Sequence, residues 1–597
     1  MTQVDIEGLR RRYAEERVKR LRPDGNDQYI ELRGQFGHLL EDPYTARAER
    51  AAKRDHVTFT FIGGGFAGLV TAARMTEAGV PDVRIVEKGG GFGGTWYWNR
   101  YPGAQCDTAA MIYMPLLEET GHMPSERYAH APEILDHCKR IAQRFGLHDN
   151  ALLQTEVTEL EWDEAGSRWI VRTNRGDEFT SQFVGIGLGP LHVAKLPGIP
   201  GIDSFAGHAF HTSRWDYAYT GGTPEGAPMD RLGDKRVAVI GTGATAVQCV
   251  PHLAKACQEL FVFQRTPSSV DVRANQPIDS EWFSGVASPG WQQRWLDNFM
   301  ANMSAGEWPA EDLVDDGWTD LAKRIRGKLA EPHSDGFDFN ALLADFEAAD
   351  FEKMSEIRAR VDTIVADPTT AQQLKAWYRQ LCKRPCFHDE YLSAYNLPSV
   401  HLVDTGGKGV ERITPAGVVA GGVEYPVDCI IYASGFEVGT EPTRRFGFDM
   451  TGRNGGRLSE YWADGMRTVH GIHVHGFPNA FLVQLGQGGN FIANVPHNFT
   501  DTATTLASIV SHMIGTGYSS VDVSRQAEDD WMEKLAPNPV MSSFLANCTP
   551  GYYNNEGQEA SPWSLLAGYQ EGAPAFFRYI ETWRSSGDFK GLEFSPL

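Results

Sequence analysis

Long apolar runs are missing from this sequence. No stretch of about 18 consecutive apolar residues occurs, so the sequence predicts no transmembrane helix. The segment Met1–Arg22 is densely charged and lacks the apolar centre of a secretory signal. These two absences argue against a membrane-spanning or exported protein, and they predict a cytoplasmic location.

Cysteine is scarce, because 597 residues contain only eight and no two of them form a CxxC pair. A disulfide reductase is therefore disfavoured. Cys382 and Cys386 are four positions apart, but no second pair of cysteines or histidines completes a zinc site. We predict no bound metal and interpret all eight cysteines as small, mostly buried residues of a protein in a reducing cytosol.

Positive charge is also in short supply, since the formal net charge is −22 at pH 7. Nucleic-acid partners and anionic membrane surfaces select basic proteins, so both are disfavoured. No segment is of low complexity, and no internal repeat is present beyond two Rossmann-like halves. The length predicts two to four domains, and the apolar content of 42% is typical of a globular protein.

What the sequence does contain is a glycine-rich fingerprint directly after the apolar run Val57–Ile62. Gly63 allows a tight turn, Gly65 lets the backbone approach a pyrophosphate, and Gly68 lets a helix pack on a strand. About two dozen residues after the first glycine stands Glu87, and a carboxylate there accepts hydrogen bonds from a ribose 2′-hydroxyl. An ordinary glycine turn is the alternative. The pattern favours a site for an unphosphorylated dinucleotide such as FAD or NAD.

A second fingerprint follows the run Val237–Ile240, begins at Gly241 and ends in Ala246. At the same spacing as Glu87 this fingerprint has Arg265, followed by Thr266. A guanidinium at this position suits a ribose 2′-phosphate. A surface arginine at a strand end is the alternative. The reversal of charge predicts that the second site binds NADP.

The fold class is predicted to be α/β, with two Rossmann-like dinucleotide-binding domains, a helical insert and an N-terminal helical extension. The simplest topology inserts the second domain into the first. The predicted boundaries are an N-terminal extension over 1–55, a first part of the FAD domain over 56–190, an NADP domain over 191–400 with a Trp-rich helical insert at about 275–380, and a second part of the FAD domain with the C-terminal segment over 401–597.

The stretch Gly93–Asp107 combines glycines, aromatic residues and a proline, and is too irregular for a helix or strand. One interpretation is an aromatic loop that packs two domains together. The functional interpretation is a loop that wraps an isoalloxazine ring, with its backbone close to the flavin.

Several motifs together resemble those of one enzyme family. Gly94-x-Trp96, Tyr101-Pro102-Gly103 and Asp107 resemble one signature of the type I Baeyer–Villiger monooxygenases. Phe205–Asp216 matches their other signature, FxGxxxHxxxW followed by Pro or Asp. Related N-hydroxylating and flavin-containing monooxygenases usually carry Phe or Tyr in place of Trp215. The resemblance extends in order from about residue 56 to 540.

The resemblance implies a reaction. NADPH reduces FAD, a C4a-peroxyflavin forms with O2, and one oxygen atom is inserted beside a ketone carbonyl to give an ester or lactone. The protein supplies position, charge and exclusion of water. The N-terminal extension and the segment Ser543–Asn555 resemble the subgroup that acts on large cyclic or bulky ketones.

The resemblance also implies roles for particular residues. Arg384 is the catalytic candidate, because a guanidinium keeps its charge beside an anionic oxygen, and Asp107 is the carboxylate that orients it. His211 is expected to position the interdomain linker. The other predicted cofactor-binding residues are Thr95, Trp96, Tyr97, Trp98, Asp107 and Tyr113 for FAD, and Thr242, Gly243, Ala244, Thr245, Ala246, Val247, Gln248, Arg265, Thr266 and Lys383 for NADP.

Two departures and two alternatives accompany this prediction. Pro190 stands where the family often has Gln, and the tryptophan that many relatives carry in a C-terminal loop has no clear equivalent here. A heteroatom monooxygenase on the same scaffold, or a regulatory protein that binds FAD and NADP without catalysis, would share the two fingerprints.

Overall fold

The computed structural model describes residues 5–32, 34–304, 308–329, 339–535, 546–559 and 567–596. The described strands in chain order are β1 (Tyr29–Ile30), β2 (His56–Ile62), β3 (Val83–Val86), β4 (Val157–Asp163), β5 (Arg168–Thr173), β6 (Glu178–Ile186), β7 (Leu196–Pro197), β8 (His208–His211), β9 (Arg236–Ile240), β10 (Glu259–Gln264), β11 (Val270–Asp271), β12 (Cys386–Phe387), β13 (Val400–Asp404), β14 (Arg412–Thr414), β15 (Gly417–Ala420), β16 (Val423–Pro426), β17 (Cys429–Tyr432), β18 (Met450–Thr451), β19 (Ala480–Leu482), β20 (Tyr518–Val523) and β21 (Leu592–Pro596).

The described helices in chain order are α1 (Ile6–Val18), α2 (Phe66–Glu77), α3 (Thr95–Trp98), α4 (Ala110–Tyr113), α5 (Leu117–Thr120), α6 (Ala131–Arg144), α7 (Tyr217–Thr220), α8 (Ala244–Ala256), α9 (Ser280–Val286), α10 (Trp291–Met303), α11 (Gly317–Leu329), α12 (Phe339–Ile364), α13 (Pro368–Leu374), α14 (Tyr391–Ala394), α15 (Pro442–Phe446), α16 (Leu458–Tyr461), α17 (Val495–Thr516), α18 (Arg525–Lys534) and α19 (Ala573–Ser586).

The first sheet has the strand order β18-β4-β5-β6-β2-β3, and β19 also pairs with β6. The end of this sheet that contains β6, β2 and β3 is parallel, and β19 joins β6 in the same direction. The pairs β4–β5 and β5–β6 are antiparallel. Strand β2 lies between β6 and β3 and is almost entirely buried, and Phe59 and Phe61 on it are completely buried. Helix α2 packs between this sheet and α17, where Leu69 and Leu506 share one core. Burying side chains of this size contributes about 1.5–3 kcal/mol each, and it anchors the first glycine turn.

The second sheet has the strand order β13-β10-β9-β17-β8, and every pair in it is parallel. Its middle strands β9 and β17 carry apolar residues on both faces, and Val237 and Ile431 are completely buried. Helix α8 covers one face with Val250 and Leu253. The predicted α/β class with two Rossmann-like units is confirmed.

The chain enters the second sheet after β6 and leaves it after β17, and then β18 and β19 return to the first sheet. The second sheet is therefore inserted between two parts of the first. Strand β17 lies beyond residue 400, so the second sheet includes residues on both sides of the predicted boundary at 400/401.

The predicted helical insert consists of α9 to α13. The N-terminal extension begins with α1, which packs on the insert because Arg358 donates a hydrogen bond to the Tyr13 hydroxyl at 3.0 Å. Strand β1 of the extension pairs with β7. Of the segment Ser543–Asn555, residues 543–545 lie outside the described residues.

One prediction about cysteine is wrong, because Cys382 and Cys548 form a disulfide. The two residues are 166 positions apart, with Cα atoms 5.1 Å from each other, so only the folded chain brings them together. The other six are free, and all except the half-buried Cys257 are buried.

No helix in the described ranges is long and apolar enough to cross a membrane. Within those same ranges, no group of three or more His, Cys, Asp or Glu side chains is arranged to hold a metal ion.

Candidate functional site

The first glycine turn has the tight packing that its sequence predicts. Gly63 has a φ of +112°, and a Cβ atom on it would lie 2.5 Å from the backbone oxygen of Gly187. A Cβ on Gly68 would lie 2.0 Å from the oxygen of Gly63. Gly63 therefore makes the turn, and Gly68 lets α2 pack directly on β2.

Two backbone segments meet where a pyrophosphate is expected. A Cβ on Gly65 would lie 3.3 Å from Gly94 Cα, and a Cβ on Gly94, at a φ of +52°, would lie 2.7 Å from Gly65 Cα. The Gly93 N–H donates to the Gly64 oxygen at 2.9 Å, which ties the two segments together. Both face a cavity at the N-terminus of α2, where N–H groups and the helix dipole favour an anion. This side-chain-free cradle fits the diphosphate of FAD.

Glu87 follows β3 and is only 5% exposed. Its two carboxylate oxygens accept hydrogen bonds from the N–H groups of Gly64 at 2.5 Å and Gly89 at 2.6 Å. Burial raises the pKa of Glu87, while these N–H donors oppose the shift. The residue lines the cavity, so an oxygen lone pair is available to a ribose hydroxyl there.

The second glycine turn repeats this geometry between β9 and α8. Gly241 has a φ of +117°, and a Cβ on it would lie 2.4 Å from the Ala433 oxygen. The Thr242 hydroxyl donates to the Thr266 oxygen at 2.7 Å, which fixes the turn against the end of β10. The Thr266 hydroxyl itself has no hydrogen-bond partner within the described ranges although it is buried. An orphan hydroxyl beside a basic side chain fits a phosphate oxygen.

Arg265 stands at the centre of a basic cluster made of Arg265, Lys195 and Lys383. Arg265 Nη1 donates to Gln28 Oε1 at 2.6 Å, and Nη2 lies 3.2 Å from a carboxylate oxygen of Glu556. Burial, with the nearby charge of Arg265, lowers the pKa of Lys383 to about 8. The cluster brings the predicted partners Arg265 and Lys383 to one cavity wall, where Lys195 joins them.

Arg384 and Asp107 form a two-point ion pair. Arg384 Nε and Nη2 donate to the two oxygens of Asp107 at 2.7 and 2.6 Å. Burial raises the pKa of Asp107, but the charge and hydrogen bonds of Arg384 outweigh burial and hold the pKa below its ordinary value. Burial lowers the pKa of Arg384, whereas Asp107 raises it well above its ordinary value. Both groups are therefore charged at neutral pH.

Residues from the helical insert and from two loops hold this pair. Trp318 of α11 donates its indole N–H to the Asp107 backbone oxygen at 2.9 Å, and its ring lies 4.9 Å from the Arg384 guanidinium carbon. Arg384 Nη1 donates to the Ile492 backbone oxygen at 3.1 Å. The buried Arg273 places a second positive charge near Asp107. The Arg384 guanidinium is therefore held in one orientation.

A single cavity of about 2,000 Å³ joins these parts. Both glycine turns open into it, and Asp107 and Arg384 of the ion pair also line it. The predicted site residues that line the cavity are Gly63, Gly65, Glu87, Thr95, Trp96, Trp98, Asp107, Tyr113, Thr242, Gly243, Ala244, Thr245, Arg265, Thr266, Lys383 and Arg384.

Five predicted residues do not line the cavity. Gly68 packs α2 on β2, while Ala246 and Val247 are buried in the core of the second unit. The Tyr97 hydroxyl donates to Asp42 Oδ2 at 2.6 Å and so holds the N-terminal extension. Gln248 accepts a hydrogen bond from the Tyr101 hydroxyl at 2.8 Å and bridges the two units. Motif spacing did not reveal these side-chain directions, because it records position along the chain alone.

His211 is completely buried and does not line the cavity. Its Nδ1 lies 2.9 Å from the Ser213 hydroxyl. Burial, with the charge of Arg214, lowers the pKa of His211 to about 3, so the ring is neutral. This environment suits a positioning residue at the start of the linker.

The sequence motifs missed four residues, namely Lys195, Arg273, Trp318 and Glu556. None belongs to a fingerprint. Lys195 and Glu556 line the cavity, whereas Trp318 and Arg273 act on the Arg384–Asp107 pair. The one available signal was the tryptophan-rich composition of the insert that contains Trp318.

Comparisons with known proteins agree with this geometry. Residues 62–128 match the model of the NAD(P)-binding Rossmann-like domain. The chain is 50% identical to neopentalenolactone D synthase of Streptomyces avermitilis over 99% of both chains. It is 47% identical to a Baeyer–Villiger monooxygenase of Streptomyces coelicolor over 98% of this chain and 96% of that protein.

Two solved structures are also similar. The polycyclic ketone monooxygenase of the thermophilic fungus Thermothelomyces thermophila superimposes with a TM-score of 0.92 at 36% identity and covers 99% of both chains. The crystal structure of OTEMO in complex with FAD and NADP has a TM-score of 0.74 at 28% identity, over 90% of this chain and 99% of that one.

Proposed function

Because this chain belongs to the Baeyer–Villiger monooxygenases, which use FAD and NADPH, we propose that it converts a large cyclic or polycyclic ketone into a lactone. The enzyme is a flavoprotein monooxygenase that inserts one atom of O2 beside a ketone carbonyl. Its partners are therefore a small-molecule ketone and O2. The cytoplasmic location and the absence of a nucleic-acid partner stay predictions.

One observation carries the assignment of the active centre, namely that the Arg384–Asp107 pair lies in the cavity into which both glycine turns open. Oxygen insertion needs both nucleotides and a fixed positive charge at one place. An ion pair on the outer surface would meet neither condition. The presence of the pair in the cavity that both turns share supports a catalytic role for Arg384 and an orienting role for Asp107.

We assign the first glycine turn to FAD. Gly63, Gly65 and the adjacent Gly94 would surround the diphosphate, and Glu87 would accept a hydrogen bond from a ribose hydroxyl. Trp96 and Tyr113 line the same wall, and the Trp96 indole N–H donates to the Tyr113 hydroxyl at 3.2 Å. When bound, FAD accepts a hydride from NADPH and supplies the chemistry that activates O2.

We assign the second glycine turn to NADP. The N–H groups at the start of α8 face its diphosphate, and Arg265, Lys383 and Thr266 bind its 2′-phosphate. The unpartnered Thr266 hydroxyl supports this assignment, because a buried polar atom without a partner is costly unless a ligand satisfies it.

Arg384 holds the negative charge that develops on oxygen during the transfer to the ketone. A guanidinium does this without releasing a proton, since its pKa is raised further by Asp107. Asp107 and Trp318 prevent the guanidinium from rotating away, so no reorganisation is needed as the charge develops. The ketone carbonyl would lie on the side of the Arg384 guanidinium that faces the cavity.

Several aromatic residues line the cavity, and Tyr552 and Tyr553 among them lie near Arg384. Tyr552 and Tyr553 of the C-terminal segment line the cavity, as do Phe436 and Phe446. Such a wall excludes water and offers flat apolar faces to a fused-ring ketone.

Product analysis tests the proposal. Purified protein loaded with FAD is incubated with NADPH, O2 and ketones graded from one ring to four. We expect polycyclic ketones to gain one oxygen atom, traced by mass spectrometry with isotopically labelled O2, with a higher kcat/KM than cyclohexanone. Oxidation of sulfides without ester or lactone from any ketone would contradict the proposal and favour a heteroatom monooxygenase.

A further inference from the structure

A carboxylate from the C-terminal segment lies inside the basic cluster. Glu556 is 4% exposed, with Oε2 at 3.2 Å from Arg265 Nη2 and Oε1 at 3.8 Å from Lys195 Nζ. Burial raises the pKa of Glu556, but Arg265 and the two lysines outweigh burial and hold the pKa below its ordinary value. Glu556 is therefore an anion that already uses the charge of the cluster.

The backbone bends sharply to place this carboxylate. Asn555 and Glu556 have backbone φ values of +51° and +54°, in the left-handed region that residues other than glycine rarely adopt. Asn26 donates to Asn555 Oδ1 at 2.5 Å, and the Tyr29 hydroxyl donates to Glu556 Oε1 at 3.2 Å. Strain of this kind is held by surrounding contacts and collects at functional sites. Residues from both ends of the chain therefore fix Glu556 against Arg265.

Arg265 already donates hydrogen bonds to two groups of the protein, one of them an anion. Arg265 Nη1 donates to Gln28 Oε1, and Arg265 Nη2 donates to Glu556 Oε2. A 2′-phosphate that hydrogen bonds to Nη2 must either displace Glu556 or stand next to a like charge in a half-buried site, and both are costly. A ribose with a free 2′-hydroxyl meets no such repulsion, because it can donate a hydrogen bond to a carboxylate.

We propose that Glu556 is an internal counter-anion that competes with the 2′-phosphate of NADPH for Arg265, and so limits how strongly the enzyme prefers NADPH over NADH. This inference rests on the proposed role of Arg265 and Lys383 as ligands of the 2′-phosphate. It assigns to the C-terminal segment a direct part in nucleotide selectivity.

The test is a binding measurement on the FAD-loaded protein. Adenosine 2′,5′-diphosphate carries the 2′-phosphate without the nicotinamide, and 5′-AMP lacks that phosphate. In calorimetric titrations, Glu556→Gln should tighten binding of the diphosphate roughly tenfold, because a competing charge is removed. Affinity for 5′-AMP should stay unchanged.

Glu571→Gln is the matched control, because it removes the same charge from an exposed position that does not line the cavity, and it should leave both affinities unchanged. Glu556→Asn is the second variant, since Asn tolerates a positive φ and keeps the segment folded. It should tighten binding of the diphosphate as Glu556→Gln does. Weaker or unchanged binding of the diphosphate in both Glu556 variants would overturn the inference and identify Glu556 as a support for Arg265.

A third variant separates this inference from the site assignment on which it rests. Arg265→Ala should weaken binding of the diphosphate strongly and binding of 5′-AMP only slightly. If Arg265→Ala leaves both affinities unchanged, the proposed 2′-phosphate site is wrong. If Arg265→Ala weakens the diphosphate but the Glu556 variants do not tighten it, the site stands and the role of Glu556 is overturned.

Discussion

At the scale of single residues, the orientation of Arg384 matters as much as its charge. A lone arginine in a sequence is more often a structural ion pair than a catalyst. Here Asp107 binds two of its nitrogens, Ile492 binds the third, and Trp318 covers one face. The guanidinium therefore resembles a preorganised site for an anion.

Replacing Arg384 should separate the two half-reactions. We expect Arg384→Ala to reduce NADPH-dependent ketone oxidation by about 10²–10³-fold, as loss of one preorganised donor does. Flavin reduction by NADPH without O2 should stay near the wild-type rate, because Arg384 is not assigned to either nucleotide. Product analysis and stopped-flow absorbance measure the two steps. Arg384→Lys is the matched control and should retain partial activity, since it keeps the charge but not both hydrogen bonds.

Lys383 predicts a dependence of nucleotide binding on pH. Burial, together with Arg265, lowers its pKa to about 8, while Glu556 opposes the shift. The ammonium is therefore protonated below this value and neutral above it. Because a phosphate prefers the protonated form, affinity for adenosine 2′,5′-diphosphate should fall as pH rises through about 8, by up to about tenfold per pH unit.

A titration series between about pH 7 and pH 10 measures this effect. Lys383→Arg should remove the fall, because a guanidinium stays charged throughout, and 5′-AMP should show no such fall in either protein. A flat profile for the diphosphate in the wild type would mean that Lys383 does not contact the 2′-phosphate.

At the scale of elements, the active site depends on pieces that are distant in the chain. Helix α11 of the insert delivers Trp318, and the C-terminal segment delivers Glu556 and Tyr552. The disulfide Cys382–Cys548 links that segment to the residue just before Lys383 and Arg384. A covalent link at this point restricts the unfolded chain and holds one wall of the cavity.

Removing the disulfide should therefore cost stability. Because the closed loop is long, we expect Cys548→Ser to lower the free energy of unfolding by about 2–4 kcal/mol. Urea denaturation followed by tryptophan fluorescence measures the change, and a thiol reductant should shift the wild type in the same direction. Cys257→Ser is the control, because Cys257 is free. Identical denaturation midpoints for Cys548→Ser and the wild type would contradict the prediction.

At the scale of the whole molecule, hydride transfer needs a link that brings the two nucleotide units together. Gln248 provides part of this link. Its side chain accepts a hydrogen bond from the Tyr101 hydroxyl and donates to the Gln105 backbone oxygen, both at 2.8 Å. Tyr101 and Gln105 belong to the first unit, whereas Gln248 belongs to α8 of the second.

Loosening this link should slow hydride transfer more than it weakens binding. We expect Gln248→Ala to reduce the rate of flavin reduction by NADPH about tenfold, because small displacements between reacting groups are costly. FAD content and the affinity for adenosine 2′,5′-diphosphate should be retained. Stopped-flow absorbance gives the rate, and the exposed Gln258→Ala is the control. An unchanged reduction rate would show that other contacts fix the two units.

The sequence by itself determined the two nucleotide turns, their difference in charge and the family. Those features depend on local spacing: Gly63 and Gly68 must be glycine because backbone atoms lie within 2.5 Å of any added Cβ. Such steric constraints can be predicted from a short motif alone. The resemblance added the pairing of Asp107 with Arg384, and the structure brings those two residues together.

Only the tertiary structure decided which side chains reach the cavity. Tyr97 and Gln248 stand inside motifs, yet they hold other segments of the protein. Lys195 and Glu556 line the cavity from outside every motif, and Trp318 contacts the Arg384–Asp107 pair. The Cys382–Cys548 disulfide likewise joins residues that are far apart in the sequence. Side-chain direction and contacts over hundreds of residues depend on how the sheets and helices pack, and linear spacing carries no record of that packing.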